Sequence, residues 1–299
     1  MKFNTLLLLG VILSCTGLII GIWYVPTAPP SLYDSSISIQ SKFLEPPTQL
    51  QQQISFKEFN YSALIASLAS QNISTNTAAN RLTSYEQIHH IDKTQFVTVS
   101  EPAISLTLPM IVNHSMHSLN PNEIWNDISS IYHWVKTCIL YENDSLPLLT
   151  QGVNQSSQPP VDIWQYPSQT LVLGQGDCED QALLLTSLLL SYANETYYFE
   201  CLLLQSSTGM GHVTPYIPIK GDLLTIIDPA TGYYTTTESK NNTLASRSIK
   251  QEIANYLAFL SSQSEGQWRI IGAFSNNFDH PFSTTDAFSN WLLLRMSDS

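Results

Sequence analysis

The reading of the chain turns on one stretch, Gly174-Gln175-Gly176-Asp177-Cys178-Glu179-Asp180-Gln181-Ala182. A glycine-rich bend leads into a cysteine, and leucines follow at 183, 184, 185, 188, 189 and 190. That run is apolar nearly all round, so the helix predicted over 177–192 is a central, buried one. Cys178 then stands in its first turn. The backbone N–H groups there lack partners inside the helix, and with the helix dipole they stabilise a thiolate. The same groups hold an oxyanion when the sulfur attacks a carbonyl, and the glycines let a substrate backbone come close. Asp177, Glu179 and Asp180 oppose this by placing negative charge near the sulfur. Asp177 and Asp180 are expected to be engaged as helix caps, and the thiolate calls for a cationic partner, an imidazolium.

Working outward, Asn120-Pro121-Asn122-Glu123 starts a helix, with an Asn cap, Pro at the first position and Glu at the third. Ile124, Ile128, Ile131, Val135 and Ile139 mark its buried face to about Tyr141. Residues 143–160 read as a long polar loop. After the central helix come three strands, 197–205, 211–219 and 223–228, the last two joined by a tight turn at Gly221-Asp222. Helices are predicted at 248–261 and 284–295, around a strand at 268–274. Apolar spacing from 49 to 70 reads as helix, and 96–112 reads as extended. Helices followed by antiparallel strands define an α+β domain.

The 299 residues allow one or two domains with a sizeable core. A formal net charge of −12 argues against nucleic acid as a partner. With 43% hydrophobic residues the chain has enough apolar surface to fold. Four cysteines and no CxxC exclude a disulfide-dense scaffold, the common zinc ribbons and a thioredoxin-type motif. Leu6–Val25 is a run of 20 residues without a charge, ending in Trp23-Tyr24-Val25. It is expected to be a single transmembrane helix (residues 1–25), with a cleaved signal peptide or a lipoprotein leader as alternatives. A Pro/Ser-rich linker over 26–48 then leads to an extracytoplasmic domain over 49–299. Glycosylation sequons at Asn60, Asn72, Asn113, Asn143, Asn154, Asn194 and Asn241 all fall after the anchor.

Of seven histidines, His212 stands apart. It follows Gly211 at the start of a predicted strand, and the next strand ends in Asp228-Pro229. Folding the hairpin about Gly221 puts His212 and Asp228 opposite or diagonal to each other, whereas a slip of one residue would separate them. Cys, His and Asp in that order supply nucleophile, base and orienting carboxylate. His89, His90, His114, His117, His133 and His280 carry no such pairing.

These residues resemble the transglutaminase-like superfamily of papain-type thiol enzymes, which carry a Gly-Asp-Cys-Glu-Asp block, a His opening a strand and an Asp closing the next. Trp164-x-x-Pro167-x-x-Thr170-Leu171 and the helix from Trp134-Val135 to Ile139-x-Tyr141 add to the likeness, which covers about 120–232. The resemblance implies a papain-like domain with its cysteine helix on an antiparallel sheet, in a microbial, membrane-anchored member. It implies acyl transfer through a thioester on Cys178, with His212 as acid and base and Asp228 as its orienter. The Cys178 N–H would hold the oxyanion, with Gln175 or Trp164 as second donor and Gly176 beside the substrate. Hydrolysis of peptide or protein amides at the cell surface comes first, and cross-linking transamidation second. No cofactor or metal is expected.

Two other readings stand beside this one. A non-catalytic surface-binding domain could use the same scaffold, or Cys178, His212, Asp228 and Asp180 could bind zinc. If a disulfide forms, it is expected between Cys138 and Cys201.

Overall fold

The computed structural model describes residues 9–14, 17–22, 42–47, 64, 66, 82–84, 92–112, 121–144, 161–236 and 243–297. Residues 1–38 and 39–299 are separate compact units. In the first, Leu9–Ser14 (β1) and Gly17–Ile22 (β2) pair antiparallel, from Leu9 opposite Ile22 to Ser14 opposite Gly17. This corrects the expected transmembrane helix, and no described helix is long and apolar enough to cross a membrane. The stretch carries β-branched residues at 11, 12, 19, 20 and 22, which favour strands. Glycines at 10, 17 and 21 each cost a helix about 1 kcal/mol.

In the second unit Leu82–Ser84 (β3) precedes a short 3₁₀ turn at Lys93–Phe96 and helix Pro102–Ile111 (α1). The helix corrects the extended reading of 96–112. Pro102 sits at its first turn, and buried Ala103, Ile104, Thr107 and Leu108 recur at helical spacing. The predicted first helix is Pro121–Cys138 (α2), followed by Leu140–Tyr141 (β4). Val161–Ile163 (β5), Pro167–Leu173 (α3) and Gln175–Gly176 (β6) lead into the cysteine helix Cys178–Tyr192 (α4). Then come Glu200–Ser206 (β7), Gly211–Ile219 (β8), Leu223–Asp228 (β9), Tyr233–Tyr234 (β10) and Arg247–Ser248 (β11). Ile249–Gln263 (α5), Trp268–Phe274 (β12), Asp279–Pro281 (β13) and Thr285–Ser297 (α6) complete the chain. The helix read at 49–70 and the loop at 143–160 lie mostly outside the described residues, as do five of the sequons. Asn143 and Asn194 are exposed.

The main sheet runs β10-β9-β8-β7-β12-β13, with β11 also paired to β9. Every pairing in it is antiparallel. Ile219 pairs with Leu223, so β8 and β9 are joined by a three-residue turn, Lys220-Gly221-Asp222, in which Gly221 and Asp222 adopt left-handed backbone, φ 85° and 59°. Helices cover both faces. On one, Cys201, Val213, Ile217, Ile219 and Ile227 pack with α1, α2 and α4. On the other, Leu202, Leu204, Tyr216, Leu224 and Ile226 pack with α5 and α6. Burial from both sides explains why these strands read as continuous apolar runs. Cys138, Cys178 and Cys201 are all free thiols, so the expected Cys138–Cys201 disulfide is absent. Cys201 instead points at α4, 3.1 Å from Thr186 Oγ1.

The last helix is fastened by a buried charge. Arg295 Nη2 lies 2.6 Å from Glu200 Oε1, and Nη1 donates to Oε2 at 2.9 Å. The guanidinium also stacks over the Tyr198 ring at 4.2 Å. Glu200 is 1% exposed, so Arg295→Ala strands a carboxylate in the core. It is expected to cost about 3 kcal/mol in urea denaturation, and replacing Glu200 by Met in the same chain is expected to recover much of that loss.

Candidate active site

Gly174 closes α3 in left-handed backbone, φ 66°, and turns the chain into β6. Leu140 N donates to Gly174 O at 2.8 Å and Glu142 N to Gly176 O at 3.2 Å, so β4 runs beside the entry to α4. Asp177 is the N-cap residue with extended backbone and Cys178 the first helical residue. The expected capping is formed in part: the Asp177 side chain makes no cap bond, whereas the Asp180 carboxyl bonds the backbone of Asp177, and its Oδ1 accepts from Gln165 N at 2.7 Å.

Asp180 is fully buried and its Oδ2 has no hydrogen-bond partner among the described residues. Burial, reinforced by the charge of Asp177, pushes its carboxyl well above the usual 3.8. Burial therefore works against one of the three negative charges that the sequence places near the sulfur. Gly176 is explained by the same side chain. A Cβ there would stand 2.5 Å from Asp180 Cβ and 2.7 Å from Oδ2. The glycine makes room for Asp180, which replaces the expectation that it admits substrate.

Cys178 Sγ lies 3.2 Å from Glu179 Oε2, and its side chain is also a hydrogen-bond partner of His212. His212 sits one residue into β8, opposite Leu204 of β7. The β8–β9 register pairs Tyr216 with Ile226. Carried two residues further, it places Asp228 opposite Thr214 and diagonal to His212 on the same face. His212 Nε2 and Asp228 Oδ2 are 2.9 Å apart. With Nε2 committed to the carboxylate, Nδ1 serves the thiol. Burial works against the imidazolium, but Asp228 and Cys178 outweigh it and hold His212 well above the usual 6.5. Asp228 is fully buried, which by itself raises its pKa. His212, Thr231 and Tyr256 reverse that and hold it below 3.8.

Of the remaining sequence candidates, Gln175 lies half-buried in β6, paired with Leu140. Trp164 is 5% exposed, with ring centroids 5.4 Å from Phe96 and 5.8 Å from Phe274. Its ring packs in the main hydrophobic core. The zinc set is not assembled, because Asp228 is occupied by His212 and four other donors. Ligand-type atoms of Asp177, Cys178 and Glu179 lie within 4.8 Å of one another. The sulfur there already partners His212, and we assign no metal to the group.

Sequence reading missed four residues around this centre. Tyr141 on β4 is 45% exposed, and its hydroxyl is held above its usual pKa by burial and by Cys178, Asp177, Glu179 and Asp228. Trp268 meets the His212 ring edge-on at 6.1 Å and donates Nε1 to Ser264 Oγ at 2.9 Å. A cavity of about 480 Å³ opens beside it, lined also by Gln205, Ser206, Gln267 and Arg269. Thr231 and Tyr256 donate to Asp228. For Thr231 a local signal existed, since Asp three residues before Thr in a Pro/Gly turn favours such bonds. Tyr256, on another element, had none.

A thiol, an imidazole and a buried carboxylate, joined by hydrogen bonds across a helix start and an antiparallel hairpin, define a Cys-His-Asp centre on an α+β scaffold. Residues 111–256 match the family model described as a transglutaminase-like domain. Among solved structures, Legionella pneumophila LapG matches with 16% identity and a TM-score of 0.35, covering 72% of this chain and 98% of that one. Its calcium-bound form matches with 14% identity and a TM-score of 0.34, over 72% and 99%. No curated protein sequence matches.

Two predictions follow from the geometry. The raised His212 contributes stability that is complete below the usual 6.5 and is lost as the pH rises through its folded value. The lowered Asp228 contributes stability that is complete above 3.8 and is lost as the pH falls through its folded value. The melting-temperature gap between wild type and His212→Gln should therefore be widest near about pH 5 and shrink towards alkaline pH. Gly176→Ala should cost about 2 kcal/mol by overpacking. Asp180→Ala should not rescue it, because the nearest clash is with the Cβ that alanine retains.

Proposed function

We propose that the chain is a thiol-dependent acyl-transfer enzyme that hydrolyses peptide or protein amides. The observation that carries this reading is the continuous link from Cys178 through His212 to a fully buried Asp228. In the reaction the Cys178 thiolate attacks the amide carbonyl carbon. The Cys178 N–H, at the helix start, receives the developing oxyanion. The C–N bond breaks as His212 gives its Nδ1 proton to the leaving amine, and the acyl group stays on sulfur as a thioester. Water then attacks the thioester while His212 takes its proton, and the carboxylic acid departs as the thiolate reforms. Asp228 moves no proton. It fixes the ring and supports its charge.

At pH 7 iodoacetamide is expected to alkylate Cys178 about tenfold faster than Cys138. His212→Ala should remove that difference and leave Cys138 unchanged. Mass spectrometry of a peptide mixture should show new termini with wild type and none with Cys178→Ala. New isopeptides in place of new termini would make the reaction transamidation. Equal alkylation of the two cysteines in wild type would overturn the thiol mechanism.

A further inference from the structure

The Asp228 carboxylate receives more hydrogen bonds than orienting an imidazole requires. Oδ2 accepts from His212 Nε2 at 2.9 Å, Tyr256 Oη at 2.7 Å and Thr231 Oγ1 at 2.5 Å. Oδ1 accepts from the backbone N–H of Ala230 at 3.1 Å and Thr231 at 3.3 Å. The two backbone bonds, on the turn after β9, already anchor the side chain. The two hydroxyls therefore crowd onto the one oxygen that faces His212, and they come from different places: Thr231 from the turn and Tyr256 from α5.

Tyr256 is 1% exposed, with its ring packed against Tyr233 and Phe259 at centroid distances of 4.9 and 6.5 Å. A phenylalanine would fill that space equally well, so packing does not account for the hydroxyl. The other ionisable groups around Asp228 are Tyr132 of α2, Tyr141 of β4 and Cys178 of α4. Tyr132 Oη bonds the Asp228 carbonyl at 3.4 Å, so it leaves the carboxylate alone.

We propose that Thr231 and Tyr256 are positioning residues that share the charge of Asp228, so that His212 holds a proton it can still give up. This rests on the reading of Cys178, His212 and Asp228 as the reacting centre. A buried carboxylate facing only an imidazolium is a strong base and grips the ring's proton. Each further donor on the same oxygen stabilises the anion and weakens that grip. The imidazolium then stays acidic enough to protonate a leaving amine, the step that lets the C–N bond break.

The test is an NMR titration of the His212 ring in the full chain, with Cys178 blocked by methyl methanethiosulfonate so that only the imidazole and its carboxylate are read. Thermal melts run alongside. Tyr256→Phe and Thr231→Val should each raise the His212 midpoint. The double variant should raise it by about one pH unit, a tenfold gain in proton affinity. Thr231→Ser should restore the wild-type midpoint. A folded Tyr256→Phe or Thr231→Val protein whose midpoint is unmoved or lowered overturns the proposal, even if its melting temperature has dropped. A wild-type Cys178 that shows no enhanced alkylation sinks the catalytic reading instead, so the two failures are distinguishable.

Discussion

A carboxylate without contact to solvent sits at the end of β9, and it must remain an anion for the imidazole beside it to carry charge. Burying an isolated carboxylate costs several kcal/mol unless donors replace the lost water. The fold supplies them from three directions. The turn after β9 gives two N–H groups and a hydroxyl, α5 gives a phenol, and β8 gives the imidazole itself. The turn donors are local to Asp228, whereas the imidazole depends on the β8–β9 register, because a shift of one residue would turn Asp228 to the other face of the sheet. The left-handed pair Gly221-Asp222 sets that register.

The acidic block around the cysteine would work against a thiolate if all three carboxyls were ionised. The structure divides them. Burial works against the charge on Asp180, whose Oδ1 accepts from Gln165 N, and Gly176 gives it room. Glu179 remains at the sulfur, its Oε2 3.2 Å from Sγ. His212 partners both that sulfur and Asp228, which links the two halves of the site electrostatically.

The parts of this that were legible in the sequence are those with local signals. The hairpin strands 211–219 and 223–228, the strand 268–274 and the cysteine helix were read nearly to their ends, because turn residues and one long apolar run bound them. Residues 96–112 were misread because Ile104, Leu106 and Leu108 alternate over a few positions, while the helical set that includes Thr107 is completed by a polar residue. The stretch 6–25 is uncharged throughout and mostly apolar, so hydrophobicity alone could not separate a helix from the paired strands β1 and β2. Tyr256 was invisible for a different reason. It falls 28 residues from Asp228 on a helix whose apolar spacing makes it look like one more core aromatic.

The position of Tyr256 bears on how the domain is bounded. The family match runs from 111 to 256, so it takes in the cysteine helix, the hairpin and the phenol, and stops there. What lies beyond is still joined to the site. β12 pairs with β7, the strand adjacent to His212, and carries Trp268 to the edge of the imidazole. The α6 helix then covers β12 and is fastened to β7 by Arg295 and Glu200. His212 thus touches groups from both helical layers: Cys178 of α4 directly, and Tyr256 of α5 through Asp228. Rearranging either layer moves one partner of the ring. The C-terminal segment beyond the match is therefore part of the scaffold that holds the imidazole.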